Sequence, residues 1–325
     1  MRAVLVETYS PVDEVGIQDV PSPTASEGTV VVRVAAAGLG FVDGLKVQGL
    51  YQTKDPLPFT PGLEFAGVVE GVGDSVSNVR VGDRVFGLAK RGALAERVVV
   101  PAANLLKVPD RMTFAQAAAI PGNYLTAMFA LKEVAALREG ERLLVLGAAG
   151  GTGNAAIKVG KSLGAHVYAA ASSEEKRAIA CAEGATGAID YTQPDWRDAL
   201  KALTGGKAVD VVFDPIGGEI SPIAFRTLGW RGRHLVVGFA AGRIPSLPFN
   251  IALLKGAALM GVDSAQIQRW EPDTYDRVWR DIENGLTSGS LEPPMIQTYA
   301  FEDFKEAFGA MSSRRATGKV VVTIP

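Results

Sequence analysis

Leu146-Gly147-Ala148-Ala149-Gly150-Gly151-Thr152-Gly153 follows an apolar run, Arg142 to Gly147, that reads as a strand. It opens a stretch with helical spacing, Gly151 to Leu163. Glycines at such a junction let the chain turn tightly. They also bring backbone N–H groups against a pyrophosphate, at a helix start whose dipole favours negative charge. A glycine cluster alone also arises for packing, so the flanking pattern decides. Strand-like runs continue at Ala165 to Ala171, Gly187 to Asp190, Val209 to Phe213, His234 to Phe239 and Ala257 to Val262. Between them lie helical segments at Ser173 to Glu183, Asp195 to Leu203 and Ile220 to Leu228. This alternation predicts βαβ units and an α/β, doubly wound parallel sheet covered on both faces. With the glycine turn, it predicts a Rossmann-type dinucleotide-binding domain.

The second strand of that series distinguishes the dinucleotides. An NAD site places Asp or Glu at its end, about 20 residues past the glycine turn, to bond the ribose hydroxyls. Here the strand ends Val167-Tyr168-Ala169-Ala170-Ala171, and Ser172-Ser173-Glu174-Glu175-Lys176-Arg177 follows. Ser172, Ser173 and Lys176 offer hydrogen-bond donors and positive charge to a 2′-phosphate, which favours NADPH. The plainer reading is a capping box formed by Ser172 and Glu175, with Lys176 and Arg177 solvated. Both readings can hold together.

Working outward, the first third is β-rich. Thr29 to Ala36, Phe65 to Val72, Arg84 to Leu88 and Arg97 to Val100 are short apolar or alternating runs. Six glycines between Gly62 and Gly87 suit a tightly turned, barrel-like sheet. Beyond Pro272 the chain offers helices at Tyr275 to Leu286 and Phe301 to Met311, then a strand, Lys319 to Ile324. That tail lacks a sheet of its own and is expected to return to the first domain. The expected division is a discontinuous β-rich domain, residues 1–121 and 267–325, around a dinucleotide-binding domain, residues 122–266.

Composition narrows the chemistry. In 325 residues, 33 Lys and Arg stand against 35 Asp and Glu, a net charge of −2. Nucleic acid and anionic membrane both call for a basic excess, so neither is expected as a partner. Cys181 is the single cysteine, and His166 and His234 are the two histidines. A disulfide within the chain is therefore impossible, and a soluble, cytoplasmic protein is expected. Three soft ligands cannot make a four-ligand structural zinc site, and no metal is expected. Both histidines fall in apolar strand-like runs and read as core or edge residues. Cys181 reads as a small packed side chain in mid-helix. The run at residues 3–6 is too short for a signal peptide.

Several ordered blocks carry a family resemblance over essentially the full chain. They are Gly49-Leu50-Tyr51, Pro61-Gly62-Leu63-Glu64-Phe65-Ala66-Gly67-Val68-Val69 and Val81-Gly82-Asp83-Arg84-Val85-Phe86, then Leu125-Thr126-Ala127. The glycine turn, Asp214-Pro215-Ile216-Gly217-Gly218 and Gly318-Lys319-Val320-Val321 complete the set. The chain resembles a zinc-free medium-chain dehydrogenase/reductase of the quinone oxidoreductase (zeta-crystallin-like) type. Leu63 stands where zinc-dependent relatives carry a histidine. The resemblance implies a GroES-like β-rich catalytic domain beside the Rossmann domain, and a homodimer built by joining nucleotide-domain sheets edge to edge near Ala257 to Val262.

It also implies zinc-independent reduction of a quinone or an α,β-unsaturated carbonyl compound by hydride from NADPH. Tyr51 is implied as the donor to the substrate oxygen, with packing on Pro56 or Pro58 as the plainer role. Thr126 is implied at the nicotinamide carboxamide, with helix capping by Asn123 beside it. Tyr191 is implied near the adenosine phosphate, or simply over the sheet edge. Gly238 and Phe239 are implied against the carboxamide, Phe239 being equally acceptable as core. Arg315 is implied as a late basic contact. Gly40 departs from the family, whose members usually have asparagine there, so a water, a backbone amide or another residue must take that contact. Glu64 and Asp43 read as structural carboxylates paired with backbone or arginine. Two alternatives stay open. One is an enoyl-thioester (acyl-CoA) reductase using Lys90-Arg91 for an anionic carrier; the other is a weakly catalytic NADPH-binding sensor or structural protein.

Overall fold

The computed structural model describes residues 1–313 and 316–325. In chain order the first elements are β1 (Arg2–Leu5), β2 (Gly16–Asp19), β3 (Thr29–Leu39), α1 (Phe41–Val47), β4 (Glu64–Val72), β5 (Arg84–Leu88), β6 (Arg97–Pro101), β7 (Leu105–Lys107) and α2 (Phe114–Ala118). Then come α3 (Pro121–Met128), β8 (Arg142–Leu146), α4 (Gly151–Ser162), β9 (His166–Ala171), α5 (Glu174–Ala182), β10 (Gly187–Asp190), α6 (Trp196–Leu203), β11 (Val209–Asp214), α7 (Ile220–Phe225), β12 (Leu228–Val236), α8 (Phe249–Lys255) and β13 (Ala258–Gly261). The chain ends with α9 (Ile267–Trp270), α10 (Pro272–Ser288), β14 (Ile296–Ala300), α11 (Phe304–Ser312) and β15 (Lys319–Thr323).

Two compact units result, residues 1–122 with 295–325, and residues 123–294. In the first, a seven-stranded sheet runs β14-β15-β3-β4-β5-β7, with β6 paired to β3. Only β14 and β15 lie parallel; the other pairs are antiparallel. Val30, Val32 and Val34, alternate residues of β3, send one face into a core with Phe65, Val85 and Leu94. The returning tail seals this core, because Phe304, Ala307 and Phe308 of α11 pack with Val320 and Val322 of β15.

The second unit carries a six-stranded sheet, all parallel, in the order β10-β9-β8-β11-β12-β13. The order reverses between β8 and β11, the switch point at which open α/β sheets bind ligands beyond their strand ends. Leu144, Leu146, Ala170 and Val212 are fully buried, as expected of strands covered on both faces.

Several local expectations are corrected. The sequence reading put α10 in the returning tail, whereas it belongs to the second unit, which runs on to Pro294. Its buried face of Val278, Trp279 and Ile282 lies inward, and Lys132 and Glu133 hold it through Asp281 (2.6 Å) and Arg277 (2.7 Å). Pro121 begins α3, as suits proline in a first turn. β12 starts at Leu228, six residues before the expected His234. Cys181 is exposed on α5 and is not a packed side chain.

Candidate active site

β8 delivers the chain into the turn with Gly147 at φ 60°, a conformation that side chains with a Cβ rarely adopt. Gly153 meets a different demand. A Cβ there would lie 2.3 Å from the Gly147 carbonyl oxygen and 2.9 Å from the Ala148 Cα, both backbone. Helix α4 can approach the turn this closely only with glycine at that position. Gly150 is its N-cap, and no side chain caps it. The amides of Gly151, Thr152 and Gly153 are first-turn donors without intrahelical acceptors. The second unit therefore presents a short row of backbone donors at a helix N-terminus, the arrangement that takes a phosphate.

Around this cradle the second unit gathers other candidates. Thr152 Oγ1 donates to Asn123 Oδ1 at 3.0 Å, tying α4 to α3. One turn along α3, Thr126 Oγ1 and Ser264 Oγ are 2.8 Å apart. Asn123 is thus inside the helix, bridging to the turn, and does not cap it as the sequence suggested. Neither Asn123 in this role nor Ser264 was legible in sequence, since each acts through a long-range contact.

Past β9, Ser172 is exposed, and Ser173 is the N-cap of α5, its Oγ accepting from the Lys176 amide at 3.3 Å. The cap therefore sits one residue beyond the expected Ser172–Glu175 box. Arg177 reaches Asp190 at the end of β10 (3.0 Å), so this cation already has a carboxylate. Hydrogen bonds from Thr192 are the main reason that the Asp190 carboxyl lies below its usual range. Tyr191 packs on the apolar core beside β10. Gly238 and Phe239 follow β12; the Gly238 amide reaches the Asp214 carbonyl, and Phe239 is partly exposed, which rules out a core role.

In the first unit Gly40 is the N-cap of α1, and its amide donates to Asp43 Oδ2 at 2.8 Å. A Cβ at Gly40 would make only ordinary contacts, 3.5 Å to Asp43 Oδ2 and 3.9 Å to Glu64 Oε1, so a side chain has room there. Glu64 accepts from the Gly122 amide and from Lys319 Nζ, with both side chains of this ion pair nearly fully buried. Glu64 thus has the expected backbone partner, and its cation is a lysine in place of an arginine. Tyr51 is half-buried in the loop after α1. Arg315 lies outside the described residues.

Asp43 is 1% exposed, and its Oδ1 has no hydrogen-bond partner among the described residues. Burial is the main cause that pushes its carboxyl up to about 6; neighbouring Glu64 adds to this, and the Gly40 amide, Lys319 and Lys46 oppose it. An unfolded Asp titrates near 3.8, so the native state binds the extra proton between these values. The stability that this protonation contributes is full below about pH 4 and is lost as pH rises through 6, on the order of 3 kcal/mol. Asp43→Asn is expected to remove this fall. Urea unfolding at pH 5 and pH 8 checks it, since equal slopes in both proteins would mean that Asp43 does not titrate there.

A profile described as "Alcohol dehydrogenase GroES-like domain" matches residues 26–110, and one described as "Zinc-binding dehydrogenase" matches residues 151–280. Quinone oxidoreductase-like protein 2 of Bos taurus is 37% identical over 309 residues, covering 95% of this chain and 88% of that protein. The chain belongs to the quinone oxidoreductase family of medium-chain dehydrogenases/reductases. Among solved structures, the quinone oxidoreductase of Thermus thermophilus, solved also as its complex with NADPH, is 35% identical with a TM-score of 0.85, covering 99% of this chain and 100% of that one. The quinone oxidoreductase of Pseudomonas syringae is 32% identical with a TM-score of 0.88, over 99% of each chain. The two-part fold of this family, a GroES-like unit and a parallel Rossmann-type unit, is the fold described above.

The name of the second profile raises the question of zinc, and the donor set does not fit it. Among the described residues no three His, Cys, Asp or Glu side chains gather as a metal would need. Leu63 is apolar, Cys181 lies exposed on α5, and His234 is bonded to Asp214.

Proposed function

We propose that this protein is an NADPH-dependent, zinc-independent oxidoreductase that reduces quinones or α,β-unsaturated carbonyl compounds by hydride transfer. The observation that carries the reading is the uncapped start of α4, held against the turn by Gly147 and Gly153. When bound, NADPH supplies a hydride from its nicotinamide ring. The backbone amides of Gly151, Thr152 and Gly153 receive the pyrophosphate, and Gly147 and Gly150 shape the turn that lets it approach. Ser172, Ser173 and Lys176 receive the 2′-phosphate, with Tyr191 beside them, and no carboxylate ends β9 to favour NAD. Thr126, Gly238 and Phe239 hold the carboxamide. Tyr51 donates its hydroxyl to the substrate oxygen as charge develops there, the contribution that preorganised donors make to such reductions.

Two measurements test this reading. NADPH and NADH are titrated separately, and then quinones, enones and acyl thioesters are added while the reduced-nicotinamide absorbance is followed. Acceptor-dependent NADPH consumption is expected; binding without turnover, or no binding, overturns the proposal. Lys176→Ala is expected to weaken NADPH by about tenfold, the value of one charge-assisted hydrogen bond, and NADH far less. Equal losses would mean a surface cation only.

The same reading takes the assembly as a homodimer formed at β13. This strand ends the parallel sheet, and Ala258, Leu259 and Gly261 on it are exposed. Exposed strand edges invite pairing. Sedimentation is expected to give a dimer, and a monomer at assay concentrations would remove this part.

A further inference from the structure

We propose that the second unit holds a second ligand cavity, separate from the glycine turn, for a small, mostly apolar molecule carrying one hydroxyl or N–H donor. Asp214 ends β11. Its Oδ1 accepts from the Ile216 and Gly217 amides, each at 2.9 Å. Its Oδ2 accepts from Ser221 Oγ and from His234 Nε2, the latter at 3.0 Å. Burial pushes this carboxyl up, but the His234, Ser221 and Gly217 donors outweigh it and hold Asp214 below its usual value. An ionised carboxylate only accepts, so Nε2 carries the proton of this bond, and a ring with that single proton offers Nδ1 as an acceptor.

That acceptor is unused. His234 is 1% exposed, and Nδ1 has no partner among the described residues. A buried acceptor left unpaired is costly, which singles it out. His234, Asp214 and Ser221 border a cavity of about 230 Å³ whose other walls include Phe225, Val236 and Leu247. None of its lining residues comes from the glycine turn; Phe239 is shared with the proposed cofactor contacts, and Leu259 lies on β13, the strand proposed above as the dimer edge. Apolar cavities of roughly 150 Å³ take benzene, so this one has room for a substituted ring. A lone water would satisfy Nδ1 but would find few further partners on such walls. Ser221 and His234 both bond Asp214, and no bond joins them to each other, so the trio is a fixed polar floor and not a hydrolytic relay.

Phenol and its methyl ether, anisole, are the probes: the same ring with and without a donor. Calorimetric titration of the wild-type protein is expected to show saturable phenol binding, about threefold to tenfold tighter than anisole, the worth of one hydrogen bond. His234→Leu is expected to erase that difference while leaving anisole unchanged. Val236→Phe fills the cavity and is expected to abolish binding of both probes, with an unchanged melting temperature showing that the unit is folded. In the wild type, the ¹⁵N resonance of His234 Nδ1 is expected to shift with phenol, a readout that survives if His234→Leu does not fold. Equal affinity for the two probes, binding that persists in folded Val236→Phe, an unmoved Nδ1 resonance, or no saturable binding each overturns the proposal. None of these readouts depends on NADPH, so failure here and failure of the reductase reading are separate results.

Discussion

Gly153→Val is expected to weaken NADPH binding on the order of a hundredfold, the scale of loss that an ångström of misplacement produces. The cause is local. The new Cβ would stand 2.3 Å from the Gly147 carbonyl oxygen and 2.9 Å from both the Gly147 carbonyl carbon and the Ala148 Cα. All three atoms are backbone, so no side chain can swing aside, and α4 must move off the turn. Its first-turn amides move with it. Gly150→Ala is the matched control, because its Cβ would meet only the Gly147 oxygen, at 3.4 Å. That variant is expected to lose less than about tenfold. Fluorescence titration with NADPH checks both. Equal affinity of Gly153→Val and wild type would remove the cradle from the cofactor site.

Lys319→Met is expected to destabilise the protein by about 3–5 kcal/mol, the cost of leaving one partner of a buried ion pair uncompensated. Glu64 and Lys319 are each nearly fully buried, 255 residues apart in sequence, and β15 brings them together. The Gly122 amide is the other donor to Glu64 and cannot replace the lost charge. The double variant Glu64→Gln, Lys319→Met is expected to recover most of the loss. Neither member of the pair carries charge in it, and the new side-chain amide oxygen can still accept from the Gly122 N–H. Chemical unfolding of the three proteins checks this. A double variant as unstable as Lys319→Met would mean that lost packing of the lysine stem, and not the orphaned carboxylate, is responsible.

Legibility in the sequence followed the range of the interaction concerned. The glycine turn and the strands around it were legible because strand period, helix period and turn chemistry all act within about ten residues. Val209 to Phe213 and Gly187 to Asp190 needed almost no adjustment. The buried ion pair of the first unit was not legible, since nothing near Glu64 announces a lysine far along the chain. For the same reason α10 was assigned to the tail: its amphipathic face says that it packs, and Lys132 and Glu133 settle where. The cap of α5 was displaced by one residue because Ser172 and Ser173 are chemically alike, and only backbone geometry chooses between them. Asp43 looked like an ordinary carboxylate; its burial, and with it the raised titration, came from the fold alone.

The position of β15 between β3 and β14 has a consequence for the protein as it is made. The second unit, residues 123–294, is synthesised before β15. The nascent chain can therefore close its parallel sheet early, while the edge of β3 that β15 later occupies stays open. Strand edges held open in this way are where chaperones and misassembly compete with folding. β15, made after the whole second unit, thus sets the time at which the part of the molecule made first can finish folding.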